Sequence, residues 1–425
     1  MNILFLTDNF VPERNAPATR TYEHAVQWVR DGHSVTVVTT APNFPEGKVF
    51  AGYANAWWHV EDIDGIRVVR VKTYISANEG FLRRSFDYAS FFIAGSIAAL
   101  CLPRPDVLVA TSPQFFCAMA GWFVSRLRRL PWVFEVRDLW PASIVAVGAM
   151  KPGFAIRVLE WLELRMYRSA RLVVSVTRAF KADLVARGVP ADKIQVVLNG
   201  VDQTRFSPRP PDPELLEALD LRGRFVVGYL GTMGMAHALD KVLDAAALLK
   251  HRTDIAFLIA GSGARRGELE ARVAAEALSN VRFLAPQAKE RMPQLWSLHD
   301  LALIPLQRHP LFKTVIPSKM FEAMGMGVPV LMSLPEGEAT SMVRETDAGV
   351  CVPPEDPRAL ADAVLALVAD PARMTALRTA ALAAAPRFCR QENARAMVEY
   401  LARVANPGSD TAQQATPSLP PNAGR

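Results

Sequence analysis

Between Thr314 and Pro329 the chain reads Thr-Val-Ile-Pro-Ser-Lys-Met-Phe-Glu-Ala-Met-Gly-Met-Gly-Val-Pro. A polar loop containing Ile316 breaks at Pro317 and runs into a helix carrying Lys319 and Glu322. Gly325 and Gly327 stop that helix, and Pro329 opens a buried strand, Val-Leu-Met. A proline in a helix's first turn gives up an N–H that has no helical partner. The amides of Ser318 and Lys319 are then free to hold an anion, with the helix dipole behind them. Lys319 adds a positive charge. Glu322, one turn on, is acceptor-only and suited to gripping a vicinal diol. An anion seat and a diol grip a turn apart describe a nucleoside diphosphate and its ribose. The plain alternative is a solvated Glu322 on an ordinary loop, and this stretch alone does not choose between them.

A second set of chemical groups follows the apolar run Trp132 to Val136: Arg137-Asp138-Leu139-Trp140-Pro141. Charged residues at the carboxyl end of a parallel strand stand where α/β sheets place their ligands. Asp138 there can orient a hydroxyl, or it can pair with Arg137 or another base. Asp62-Ile63-Asp64 has the spacing of a metal-diphosphate site, but it adjoins Gly65 at a hairpin turn, where aspartates are favoured locally. It reads as a turn, and His33, at a strand entry, reads as structural. From Phe81 to Leu102, Arg83 and Arg84 precede Phe86, Tyr88, Phe91, Phe92 and small apolar residues. The apolar part is shorter than the roughly 20 residues that span a bilayer. It reads as a buried helix or as one that docks on a membrane surface through its arginines and aromatics.

The elements that must position these groups come in two series. Asn2 to Thr7, Pro17 to Asp31 and Ser34 to Thr40 form a βαβ start, capped at Gly32. A second α/β series begins at Phe225 and includes Gly231-Thr232-Met233-Gly234 and Gly261-Ser262-Gly263 after its first two strands. At 425 residues the chain exceeds one core, and two domains of about 200 residues are the natural division. Hydrophobic content of 50% allows large buried parallel sheets. The expected fold is α/β, with two Rossmann-like doubly wound domains facing across a cleft. Residues 1–206 form the first, 207–223 a linker and 224–388 the second. A helix over 389–405 packs back on the first, and 406–425 is a disordered tail. The four cysteines are far apart, which predicts free thiols in a reducing compartment. Met1-Asn2 runs into Ile-Leu-Phe-Leu without a basic leader or cleavage site, so no signal peptide is expected. The net charge of +6 favours anionic partners. Neither half has Gly-x-Gly-x-x-Gly after its first strand, which argues against a nicotinamide dehydrogenase.

Two doubly wound halves, Asn199-Gly200-Val201-Asp202 before the linker, Gly261-Ser262-Gly263 and the loop-helix around Glu322, in this order, resemble glycosyltransferase family 4. These are retaining sugar-nucleotide transferases of the GT-B fold. Arg137-Asp138-Leu139-Trp140-Pro141 and Pro317-Ser318-Lys319-Met320-Phe321-Glu322 resemble the branch near bacterial N-acetyl-L-fucosamine transferases of surface-polysaccharide assembly. The second glutamate of the family's Glu-x7-Glu motif matches Glu322, which the resemblance assigns to the ribose hydroxyls. The first falls on Thr314, which can hydrogen-bond a sugar hydroxyl but offers no charge. Where the family often has an arginine and then a lysine on the diphosphate, this chain has Thr232 and His237. The resemblance implies donor contacts from Gly231, Gly234, His237, Gly261, Ser262, Ile316, Ser318 and Glu322. It puts Asp138, Lys319 and Thr314 at the chemistry, and Arg14, Asn15 and Arg137 on the acceptor or phosphate side. No metal or cofactor is implied. The expected partners are a nucleotide sugar and a lipid-linked saccharide, with peripheral contact at the inner face of the cytoplasmic membrane and no nucleic acid. The rival expectation is a nucleotide-sugar-binding protein that has lost turnover and partners an active enzyme.

Overall fold

The structure is a computed structural model that describes residues 1–44, 46–76, 81–146, 150–151 and 153–406. The tail from 407 lies outside the described residues, and so do the side chains of 81–85, including Arg83 and Arg84. The first half contains strands β1 (Asn2–Leu6), β2 (Ser34–Thr40), β3 (Trp58–Ile63), β4 (Ile66–Val71), β5 (Val107–Thr111), β6 (Trp132–Val136), β7 (Leu172–Ser175) and β8 (Ile194–Val196). Its helices are α1 (Ala16–Arg30), α2 (Phe81–Cys101), α3 (Phe115–Arg128), α4 (Ala142–Ala146), α5 (Phe154–Ser169) and α6 (Arg178–Ala186). The strands β5, β6 and β7 are buried end to end, as strands sandwiched between helix layers must be. Among the described residues only β3 runs antiparallel, as an edge hairpin with β4. At its turn Asp62 Oδ1 accepts the Gly65 N–H at 3.0 Å, and Asp64 accepts from the Tyr22 hydroxyl, so both aspartates serve local structure.

A short helix α7 (Pro213–Ala218) interrupts the proline-rich segment before the second half. There β9 (Phe225–Leu230), β10 (Ile255–Ala260), β11 (Val281–Leu284), β12 (Leu301–Pro305), β13 (Val330–Ser333) and β14 (Gly349–Val352) form a parallel sheet. Its helices are α8 (Leu239–Leu248), α9 (Arg266–Ala275), α10 (Met292–Trp296), α11 (Lys319–Gly325), α12 (Glu338–Thr346), α13 (Pro357–Ala369) and α14 (Pro371–Ala384). The last helix, α15 (Arg390–Ala405), returns to the first half. Trp28 of α1 is fully buried, and its Nε1 donates to the carbonyl of Ala394 on α15 at 2.7 Å. The two crossings between halves run side by side. Val201 N–H donates to Phe388 O at 2.9 Å and Arg390 N–H to Val201 O at 3.1 Å. Gly200 allows this approach, since a Cβ there would stand 2.3 Å from Phe388 O.

Strand order places the site. The first sheet runs β3-β4-β2-β1-β5-β6-β7-β8 and the second β11-β10-β9-β12-β13-β14. Connections diverge between β1 and β5 and between β9 and β12. A crevice therefore opens beyond the carboxyl ends of those strands, where doubly wound sheets bind ligands. The two sets of carboxyl-end loops meet. Arg14 Nη1 donates to Gln287 O at 3.3 Å, and Leu311 and Val315 of the second half pack against the first half's core.

Candidate functional site

On the second half, the loops after β9 and β10 lock together through backbone bonds. Gly231 N–H donates to Ala260 O at 2.9 Å and Met233 N–H to Ser262 O at 2.7 Å. Gly231 and Gly261 have φ of 150° and 142°, values that a side chain disfavours. A Cβ on Gly261 would also fall 1.9 Å from Gly231 O, and one on Gly231 would fall 2.6 Å from Lys319 Nζ. These glycines therefore let Lys319 reach the end of β9.

Lys319 starts α11, whose Met320, Phe321, Ala323, Met324 and Gly325 are buried in the core. Lys319 and Glu322 stand three residues apart on the half-buried face, so their side chains are neighbours. Lys319 Nζ lies 3.9 Å from the ring centroid of buried Tyr229, whose hydroxyl donates to Thr232 O at 2.6 Å. Burial lowers the Lys319 pKa to about 7, and the Glu322 charge only partly offsets it. The ammonium expected from the sequence is thus poised between its two forms near neutral pH. A bound diphosphate would favour the charged form. UDP binding at pH 8 should then take up close to one proton. Calorimetry in buffers of different ionisation enthalpy checks this, and Lys319→Met should abolish the uptake.

His237 sits edge-on to Tyr229, with ring centroids 6.0 Å apart. Burial, with the Lys319 charge beside it, lowers its pKa to about 3. It is neutral here and carries one N–H, with the Gly234 backbone beside the ring. Glu322 Oε2 accepts from Trp296 Nε1 at 3.1 Å, and Trp296 is itself fully buried. That bond orients the carboxylate. Trp296→Phe removes that donor from the carboxylate and leaves a smaller ring in the core. A hydrogen bond to a charged group contributes about 1.5–3 kcal/mol to the fold, so a lower unfolding temperature is expected together with weaker UDP binding.

The other candidate donor contacts are buried or half-buried. Thr314 ends a short 3₁₀ turn, and its hydroxyl donates to Leu311 O at 2.6 Å, which leaves only its oxygen lone pairs for a sugar. Ile316 is 6% exposed within the hydrophobic core, so any donor contact there is through its backbone. Ser318 precedes α11 without a side-chain cap bond. Gly234 precedes the 3₁₀ turn that carries His237.

On the first half, Asp138 follows β6 half-buried. Burial raises its pKa to about 6, tempered by hydrogen bonds from the Ser143 side chain and the Leu139 amide. It does not pair with Arg137. The Arg137 guanidinium instead donates to Glu135 Oε2 at 2.8 Å, Pro17 O at 2.8 Å and Thr21 Oγ1 at 2.8 Å. Each of its three nitrogens thus makes one bond to the protein, and each Nη keeps a second N–H. Asn15 caps α1, its side chain accepting the Ala18 N–H at 2.9 Å. Arg14 is exposed and reaches the opposite lobe.

Sequence reading passed over the group that fixes this side. Glu135 is fully buried in β6 between Arg137 and Arg20. Arg20 donates to Glu135 Oε1 at 2.9 Å and also to Val197 O, Leu198 O and Asn199 Oδ1. Burial alone would push the Glu135 carboxyl up, but the two guanidiniums outweigh that and hold it low. The available signal was one acid inside Trp-Val-Phe-Glu-Val, a position no unpaired charge tolerates.

Two family models match the chain: a glycosyl transferase 4-like domain over residues 15–200 and glycosyl transferases group 1 over residues 224–370. The putative colanic acid biosynthesis glycosyl transferase WcaI of Escherichia coli is 25% identical over 372 residues, which are 85% of this chain and 90% of that protein. A D-inositol 3-phosphate glycosyltransferase of Rhodococcus opacus is 31% identical, covering 72% of this chain and 70% of its own. The crystal structure of Anabaena HepE in complex with UDP-glucose superposes with a TM-score of 0.72 at 20% identity, over 95% of this chain and 99% of that one. With twin parallel-sheet halves meeting at their carboxyl ends, the chain belongs to the family 4 glycosyltransferases and has the GT-B fold.

Proposed function

We propose that this protein transfers a sugar from a nucleotide-diphosphate donor, a UDP-linked N-acetyl amino sugar, with retention to a lipid-linked saccharide in bacterial surface-polysaccharide synthesis. The observation that carries this reading is Lys319 and Glu322 on one face of α11, at the switch point of the second sheet. The relatives add weight. WcaI is named for colanic acid biosynthesis, and HepE is a structure with UDP-glucose. The resemblance of residues 137–141 and 317–322 favours an N-acetyl-L-fucosamine-type donor.

Leaving of the nucleotide builds negative charge on the diphosphate and positive charge at the anomeric carbon. Lys319, with the Ser318 and Gly234 amides, meets the first without a metal. Glu322 holds the ribose. Attack on the face of departure needs no protein nucleophile, and Asp138 orients the acceptor hydroxyl. Its raised pKa suits a group that shares a proton near neutrality. Nucleotide release from a panel of UDP-sugars, with added lipid extract and with or without a chelator, tests the reading. Release of UDP only when lipid extract is present is expected. No release with any donor would overturn it.

The bonded Thr314 hydroxyl and the neutral His237 favour one other reading, a binding partner of an active transferase. It predicts UDP binding without release under the same conditions.

The membrane contact belongs to the same proposal. Among the described residues no helix is long and apolar enough to cross a bilayer. α2, α3 and α5 nonetheless expose Phe86, Ile93, Ile97, Phe123, Leu127 and Trp161. At the far end of this layer Arg126, Arg129 and Arg171 line one groove. Apolar residues beside cations suit an anionic lipid surface. Co-sedimentation with phosphatidylglycerol vesicles should fall for Arg126→Ser/Arg129→Ser; equal binding to neutral vesicles would count against the contact.

A further inference from the structure

The two halves share a contact that joins a helix of one to an acid of the other. α6 begins just past the carboxyl end of β7, and Thr177 caps it by accepting the Phe180 N–H at 2.9 Å. The first two helical amides, of Arg178 and Ala179, donate to the two carboxylate oxygens of Glu338 at 3.0 and 2.8 Å. A capping box would draw its acid from the third helical position of the same helix. Here that position is Phe180, and the acid comes from the opposite lobe. Glu338 is the first residue of α12. Its turn is stiff, because Gly337 N–H donates to Thr340 Oγ1 at 2.9 Å and Glu336 pairs with Arg344. It is also tied to the loop that leads to Lys319: a Cβ on Gly337 would fall 2.0 Å from Lys313 O.

We propose that Glu338 is a latch that holds the two halves closed, a positioning residue that acts on the donor site through domain geometry. A carboxylate on two helix-terminal amides is a charge-assisted bond reinforced by the helix dipole. When the halves part, the carboxylate and both amides return to water. The net strength is therefore modest, which suits a contact that must break for product to leave. Its effect on donor binding rests on the proposed placement of the donor between the halves; its effect on closure does not.

Two variants test it. Glu338→Ala removes the acceptor. Arg178→Pro removes one donor while keeping the helix, since proline is favoured at the first helical position. The preceding Thr177 is already extended, at φ −144° and ψ 153°, as a residue before proline prefers. Small-angle scattering without ligand should show a larger radius of gyration for both variants than for the native chain. Calorimetry with UDP should show Kd rising about three- to tenfold, because only the closed fraction binds well. With a working donor KM should rise while kcat at saturation holds, a split that a folding defect would not produce. The double variant should be no worse than Glu338→Ala alone. An unchanged radius of gyration in both variants overturns the latch, whatever UDP does. A larger radius with no UDP binding even by the native chain supports the latch and sinks the donor reading instead.

Discussion

Lys319→Ala is expected to lower kcat by about 10²–10³-fold at saturating donor, the usual cost of removing one preorganised group aimed at developing charge. The argument starts from the backbone. Only glycine at 231 leaves room for the ammonium at the end of β9, and the Tyr229 face below it favours a cation. Burial leaves that cation short of solvation, as its pKa near 7 records. Charge leaving with the nucleotide restores what burial removed, so the interaction strengthens as the bond breaks. That is transition-state binding, and its loss should appear in kcat more than in affinity for the intact donor, while UDP, which already carries the developed charge, should also bind more weakly. Arginine should not rescue the variant, because its planar fork does not fit the space beside Gly231. Single-turnover measurements on Lys319→Ala and Lys319→Arg check this. A kcat within a few-fold of the native value would remove Lys319 from the chemistry.

Glu135→Gln should be the most destabilising single change at the site. It removes the counter-charge shared by two buried arginines, and breaking a buried pair in this way costs about 3–5 kcal/mol. Arg20 and Arg137 between them bridge α1, β6 and the segment after β8. The loss should therefore fall on the first half, as an early transition in denaturant with the second half intact. Replacing Arg20, Glu135 and Arg137 together by apolar residues of similar volume should recover much of the stability. A Glu135→Gln change below about 1 kcal/mol would mean that water, not the protein, solvates the arginines.

The doubly wound halves were legible because buried parallel strands leave continuous apolar runs such as Ile255–Ala260. Loops at their carboxyl ends carry glycine and charge, and those patterns are local. The structure does bring Gly231, Gly261, His237, Lys319 and Glu322 together, and it carries Arg14 to the opposite lobe. Sequence could not say what each side chain is already bonded to. The Trp296 bond to Glu322 spans 26 positions, the Arg20 bond to Glu135 spans 115, and that of Glu338 to α6 spans about 160. No periodicity encodes such pairs. Arg137 shows the same: its place at a strand end was visible, but its bonds to Glu135, Pro17 and Thr21 were not. Lys319 was assigned a plain positive charge because its Tyr229 floor lies 90 positions upstream.

The central claim is that one carboxylate on the second half clasps the ribose of the donor. Comparing UDP with 2′-deoxy-UDP on the native chain and on Glu322→Ala tests it by a closed cycle. The native chain should bind the deoxy compound about tenfold or more weakly, the worth of a hydrogen bond to a charged group, and Glu322→Ala should bind both nucleotides alike. Equal affinity of the native chain for the two, or undiminished discrimination by Glu322→Ala, would contradict the account.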